Sequence, residues 1–264
     1  MARRREPAPP PARRLIVLGA SNVARSVSTA VATAQLAWGG PVETLMALGH
    51  GRSYGRATTW LGRVLPGIGQ CGLWSALERP AECPAAAVIT DIGNDLLYGA
   101  EPEVIAGWVD ECLGRLSATA PEVLLSGLPL ANVAGLSQRR YLAYRALFFP
   151  RCRLSLGELA GRAAALQEHL RASAARSGAR WLEPSAEWYG RDPIHWRSGS
   201  WGEIWEKFFG VFPAPQVSLA RRGSAVRWLY LRSLVPHERR LWGVMQRRAQ
   251  PAATLRDGTT IAFY

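Results

Sequence analysis

Five short apolar runs, at residues 14–19, 42–48, 85–91, 122–128 and 179–184, alternate with longer stretches of helical pattern. No other feature restricts the fold as tightly. The first run, Leu15-Ile16-Val17-Leu18, ends at Gly19, and a short apolar run closed by glycine reads as a strand buried on both faces. Residues 23–37, 73–79, 101–118, 155–177 and 201–210 read as helices. Strands alternating with helices predict a parallel sheet covered on both sides, with right-handed crossovers. The expectation is an α/β fold, a three-layer α/β/α domain with a five-stranded parallel sheet in the flavodoxin-like order 2-1-3-4-5.

The ends of the chain differ from this pattern. Residues 1–13 are rich in Arg, Pro and Ala and read as a disordered tail. Followed by LIVLGA, they resemble a twin-arginine export signal, but Ser21, Asn22 and Arg25 interrupt the apolar region that such a signal needs. Residues 14–212 read as one domain. Residues 213–264 form a basic, Arg/Trp-rich extension in which Asp257-Gly258, set between alternating residues, predicts a terminal β-hairpin.

The net charge is +12, yet only one basic residue, Lys207, is a lysine, and the chain is also rich in Ala, Gly and Pro. A GC-rich genome imposes that composition on any protein, which argues against nucleic acid as the partner. Arg together with Trp228, Tyr230 and Trp242 in the extension leaves open a peripheral contact with an anionic membrane surface, beside the simpler reading of a basic surface strap. The four cysteines are scattered, with no CxxC pair and no His at metal-ligand spacing, as expected of buried thiols in a reducing, cytoplasmic setting.

Three loops fall at the carboxyl ends of predicted parallel strands: around Ser21, from Gly49 to Gly55, and at Gly93-Asn94-Asp95. A fourth segment, after the last strand, carries Asp192 and His195. In an open α/β sheet such loops share one edge, where ligands bind. Taken singly, Ser21 is a helix cap, GND a turn and DxxH a chance pattern. Together they supply what acyl transfer requires: a hydroxyl nucleophile, an imidazole base, a carboxylate to orient it, and donors for an oxyanion.

GASN at 19–22, a glycine in the second loop, GND at 93–95 and DPIH at 192–195 resemble, in order, the four sequence blocks of the SGNH (GDSL-type) hydrolases. The likeness covers roughly residues 14–212. It implies Ser21 as nucleophile, His195 as base and Asp192 as its orienter; apart from the resemblance, Glu183 is the carboxylate that would orient His195 if Asp192 does not. It also implies an oxyanion hole built from the Ser21 N–H, a glycine N–H and the Asn94 amide. Gly51 is the favoured glycine, with Gly49 and Gly55 open. The implied substrate is a small-molecule, carbohydrate or lipid ester, with no metal or nucleotide cofactor.

The sequence departs from the family at Ala20, where an Asp is usual, and in its extension. Weaker expectations attach to His50 and Arg52, which could bind an anionic group of the substrate, and to Trp196. That Trp belongs to a cluster with Trp188, Tyr189, Trp201 and Trp205 that could stack on a sugar or pack the last helix. Tyr141, Tyr144, Phe148 and Phe149, in the connection 131–153, could wall an acyl chain or fill the core. A dinucleotide loop is disfavoured because no glycine follows Gly19 until Gly39. The rival of another class is a basic binding protein on the same scaffold, acting through residues 213–264.

Overall fold

The computed structural model describes residues 9–213 and 223–264. In chain order the elements are β1 (Arg13–Leu18), α1 (Ser21–Trp38), β2 (Val42–Ala47), β3 (Thr58–Trp60), β4 (Arg63–Leu65), α2 (Leu73–Leu77), β5 (Ala85–Ile89) and α3 (Asn94–Leu97). Then come α4 (Pro102–Ser117), β6 (Glu122–Ser126), α5 (Leu130–Ala134), α6 (Gln138–Phe148), α7 (Leu156–Ser177) and β7 (Arg180–Leu182). The chain closes with α8 (Trp201–Gly210), α9 (Ala225–Ser233), β8 (Glu238–Leu241), β9 (Val244–Arg247), β10 (Ala253–Thr254) and β11 (Thr260–Phe263).

The main sheet runs β10-β11-β2-β1-β5-β6-β7. Its five central strands are those read from the sequence, in the expected order and all parallel. The strand count needs correction, because the sheet has seven strands. β11 pairs parallel to β2 with Thr260 opposite Glu43 and Phe263 opposite Met46, and β10 returns antiparallel beside it. Gly258, at φ 95, makes the turn between them, and its amide bonds the Leu255 carbonyl.

β1 shows why the sheet has two cores. Ile16 and Leu18 point into one apolar cluster, with residues of α2, α4 and α7, while Leu15 and Val17 point into the other, with α1 and α8. All four are fully buried, each stabilising the fold by about 1.5–3 kcal/mol before the entropy cost of ordering.

Three further corrections concern irregular stretches. The strand begins at Arg13, inside the predicted tail: Arg13 pairs with Val42 across the sheet, its guanidinium meets Glu122 and covers the Trp38 ring. Of the rest of the predicted tail, residues 1–8 lie outside the described residues. Part of the connection 131–153 is helical, as α5 and α6. A second, antiparallel sheet, β3-β4-β8-β9, joins residues 58–65 to the extension. Its strands have at most four residues and mostly half-exposed side chains, so no run of alternation announces them.

Candidate active site

The site lies at the carboxyl ends of β1, β2, β5 and β6. Gly19 lets the chain leave β1, since a Cβ there would sit 2.4 Å from a Val23 methyl. Ala20 precedes α1 and offers no side-chain cap. The cap comes from the end of β5. Asp91, held at φ 61, accepts the amides of Ala20 (3.0 Å), Asn22 (2.9 Å) and Val23 (3.3 Å), and also the Asn22 side-chain amide (2.6 Å). The Ser21 N–H, between these bound amides, has no acceptor among the described residues. Burial pushes the Asp91 carboxyl above its ordinary range, and the same hydrogen bonds oppose that shift.

Ser21 Oγ stands 3.0 Å from His195 Nε2, and His195 Nδ1 stands 2.5 Å from Asp192 Oδ2. Asp192 Oδ1 accepts the amides of Ile194 and His195, a one-turn Asx arrangement that presents the imidazole. Burial raises the Asp192 carboxyl, but the bond to His195, its charge and the two amides together outweigh burial, so the group lies below its ordinary value. Asn22 fixes the other side of this segment. Its Nδ2 donates to the Ile194 carbonyl (3.0 Å) and its Oδ1 accepts the Trp196 amide (2.8 Å), so the residues on both sides of His195 are tied to the helix that carries Ser21.

Gly51 and Asn94 face the same cleft as Ser21 and His195, a recess of about 290 Å³ walled by Trp60, Tyr98 and Phe148. Gly51 has φ 62, and a Cβ would lie 2.8 Å from the Tyr98 hydroxyl. That hydroxyl donates to the Gly51 carbonyl (2.6 Å), whereas the Gly51 N–H has no acceptor among the described residues. The Asn94 amide has only a long contact, 3.5 Å, to the Arg52 carbonyl. Three N–H donors therefore stand around Ser21 without strong protein partners. Asp95 anchors the loop by accepting the Ser53 hydroxyl and the Tyr54 amide; burial pushes its carboxyl up to about 6, against these bonds and Arg56. A second, apolar cavity of about 80 Å³ opens from Ser21 between Leu128, Val133, Leu159 and Ala163. Among the described residues no group of His, Cys, Asp or Glu could hold a metal ion.

No protein-family model matches the chain, and no curated protein matches it by sequence. Solved structures do match. A carbohydrate acetylesterase family member from Sinorhizobium meliloti aligns with TM-score 0.55 at 12% identity, over 75% of this chain and 96% of that one. This chain shares that protein's fold. An M. smegmatis aryl esterase aligns over 84% of this chain and all of that one, at 14% identity and TM-score 0.49. A lipolytic protein of the G-D-S-L family from Veillonella parvula DSM 2008 covers 76% of this chain and 98% of that one, at 13% identity and TM-score 0.46.

On this fold the residues of the four blocks converge, and some weaker candidates fall away. Gly55 is pressed against Trp108 and Gly49 against Leu65, so Gly51 is the loop glycine that faces the Ser21 cleft. Arg52 is not a ligand-binding residue. It is fully buried and donates to the carbonyls of Leu48, Pro66 and Tyr264, holding the loop together. Trp196 is also structural: it is buried, packs edge-on against Trp205 and Phe208, and bonds the Tyr189 hydroxyl. Trp188 and Trp205 are core too, and Trp201 packs partly buried beside them. Glu183 is engaged with Arg171 and Gln167. His50, Phe148 and Phe149 do line the cleft, whereas Tyr141 is buried against Leu154. Sequence reasoning missed Asp91 and Asn22. The only available signal was an acid three residues before Asn94, in a chain that lacks the acid at position 20.

Proposed function

We propose that the protein hydrolyses a carboxylic ester through an acyl-enzyme formed on Ser21. The observation that carries this reading is the continuous bond from Asp192 through His195 to Ser21 Oγ, 2.5 Å and then 3.0 Å long. A serine hydroxyl is a weak nucleophile until a base within hydrogen-bond reach takes its proton. His195 Nε2 accepts that proton as Oγ attacks the ester carbonyl carbon. Asp192, held ionised below the ordinary carboxylate range, keeps Nδ1–H as the donor and stabilises the imidazolium. The oxyanion of the tetrahedral intermediate is met by the N–H groups of Ser21 and Gly51 and by the Asn94 amide, each such donor contributing about 2.7–4 kcal/mol.

Collapse expels the alkoxide, which takes the proton from His195. Water then enters, gives its proton to His195 and attacks the acyl carbonyl, releasing the acid and restoring Ser21. The small apolar cavity beside Ser21 fits a short acyl group, and the carbohydrate acetylesterase family member that shares the fold is named for an ester hydrolysis of that kind. The test is turnover of p-nitrophenyl acetate and covalent labelling by a fluorophosphonate in wild type and Ser21→Ala. Labelling and turnover that both vanish in the variant support the reading, and equal activity in the two proteins overturns it.

A further inference from the structure

Arg25 lies one helical turn beyond Ser21 on α1 and lines the same cleft. Across the cleft stands His50, whose other side faces a second recess of about 90 Å³, lined by Arg63 from β4 and Arg232 from α9. Burial, then the charges of Arg232, Arg63, His195 and Arg25, hold the His50 imidazole down at about 4, so it is neutral and adds no positive charge of its own.

These three arginines line the cleft or the recess without an acid partner among the described residues. None of the ion pairs among the described residues includes Arg25, Arg63 or Arg232. Their guanidinium groups make no hydrogen bond to the described residues either; Arg232 only covers the Trp228 ring, at 4.5 Å. Residues 214–222, which lead towards α9, contain no Asp or Glu that could serve. Arg63 is half-buried, and the charges felt there are those of Arg239, Arg52 and Arg232. Like charges gathered in a partly desolvated recess repel one another, and the arrangement is relieved when an anion enters. Guanidinium groups recognise carboxylate and phosphate oxygens through paired N–H donors.

From this geometry we infer that the recess around His50, with Arg25, Arg63 and Arg232, is an anion subsite, and that the natural substrate is an ester carrying a carboxylate or phosphate group. The inference rests on the ester-hydrolase reading for its place in turnover, but the anion binding stands independently of it. His50 forms the wall that the cleft and the recess share, so an anion held there belongs to a substrate whose ester carbonyl reaches Ser21.

The experiment compares matched acetyl esters: 4-acetoxybenzoate, 4-acetoxyphenyl phosphate and the neutral methyl 4-acetoxybenzoate. Wild type is expected to favour one or both anionic esters at least tenfold in kcat/KM, and which one is favoured separates a carboxylate from a phosphate. Raising the salt concentration should erode the preference. In Arg63→Met/Arg232→Met the ratio of anionic to neutral kcat/KM should fall about tenfold. Arg232→Glu, a change at an exposed position, should give the same direction if the double variant folds poorly. Binding of 4-hydroxybenzoate and phenyl phosphate, measured by calorimetry, separates the two readings. Binding that is lost in the arginine variants, with no ester turned over, keeps the subsite and sinks the hydrolase. Turnover of charged and neutral esters with equal kcat/KM, and no binding of either anion, overturns the subsite.

Discussion

Asp91 Oδ1 accepts the side-chain amide of Asn22 at 2.6 Å while Asp91 Oδ2 accepts the Asn22 backbone amide at 2.9 Å. This pair of hydrogen bonds fixes Asn22, and Asn22 in turn fixes the carbonyl of Ile194 and the amide of Trp196. The position of His195 over Ser21 thus depends on a carboxylate that touches neither. Asp91 also caps the helix that Ala20 leaves uncapped, so an acid at the end of β5 anchors the nucleophile loop.

Asn22→Ala should therefore lower kcat with little change in KM. The triad residues remain, but the His195 segment loses both ties to α1, and a misplacement of about 1 Å costs roughly 10²-fold in rate. Asp91→Ala should do the same and also destabilise the fold, because the Ala20, Asn22 and Val23 amides lose their acceptor at about 1–3 kcal/mol for each buried donor left unpaired. Steady-state kinetics with thermal melts would check both. A full-rate Asn22→Ala enzyme would show that the Asx turn at Asp192 is sufficient by itself.

Asp192→Asn should leave the fold intact and reduce kcat by about 10⁴-fold, since an amide donates to Nδ1 and selects the wrong imidazole tautomer. The depressed Asp192 pKa has a stability consequence as well. Its ionised, hydrogen-bonded form contributes stability above the ordinary carboxylate range, and that contribution is lost as the pH falls through the lower folded value. Acid melts of wild type and variant should converge at the lowest pH.

Asn94→Ala should cost about 10²–10³ in kcat, as expected when one oxyanion donor is removed. Gly51→Ala tests the same hole by another route. Alanine at φ 62 is strained by about 1–2 kcal/mol, and its methyl meets the Tyr98 hydroxyl that orients the Gly51 peptide. Activity should fall in both variants, with a lowered Tm for Gly51→Ala. Gly55→Ala should instead damage packing against Trp108 and lower Tm first.

His50 and Asp95 predict opposite pH dependences of stability. The unfolded imidazole takes up its proton near 6.5, but folded His50 does so only at about 4, so its contribution is lost as the pH falls through that window. Asp95 is raised from 3.8 to about 6, so the folded state holds the proton longer and its contribution is lost as the pH rises from 4 to 6. Each effect is on the order of 3 kcal/mol. Denaturant titrations at pH 4 to 6.5 should show stability falling with pH in His50→Asn and rising with pH in Asp95→Asn, the wild type lying between.

The legible and illegible parts of this chain differ in how their information is carried. β1, β2, β5 and β6 announce themselves because they are buried on both faces, so an apolar run is a condition of the position, whereas β7, at the sheet edge, is three residues long and half-exposed. Ser21, Asn94, Asp192 and His195 were legible because the topology brings the carboxyl ends of the parallel strands β1, β2, β5, β6 and β7 to one edge. The short strands of the second sheet, Arg-rich in β8, lack that signature, and β11 joins β2 from more than two hundred residues away. Arg52 misled for a physical reason: an arginine in a glycine loop reads as exposed, yet its Nε and Nη1 donate to three backbone carbonyls in the interior. Trp196 misled similarly, since its closeness to His195 in sequence places its backbone at the site and its ring in the core.

The cavity beside Ser21 predicts the acyl preference. At about 80 Å³, between Leu128, Val133, Leu159 and Ala163, it has room for a short acyl chain. Ala163 is nearly buried on α7, so Ala163→Leu places three more carbons in that space. Acetyl esters should then be hydrolysed at close to the wild-type rate, while butyryl esters should lose about 10–200-fold in kcat/KM for each methylene no longer accommodated. Leu159→Ala should shift preference the other way, towards hexanoyl esters, at a cost in stability of about 2–5 kcal/mol for the emptied volume. A chain-length series of p-nitrophenyl esters reads both changes. An unaltered profile in both variants would mean that the acyl chain lies in the aromatic cleft of Trp60 and Phe148, with the alcohol in the apolar cavity.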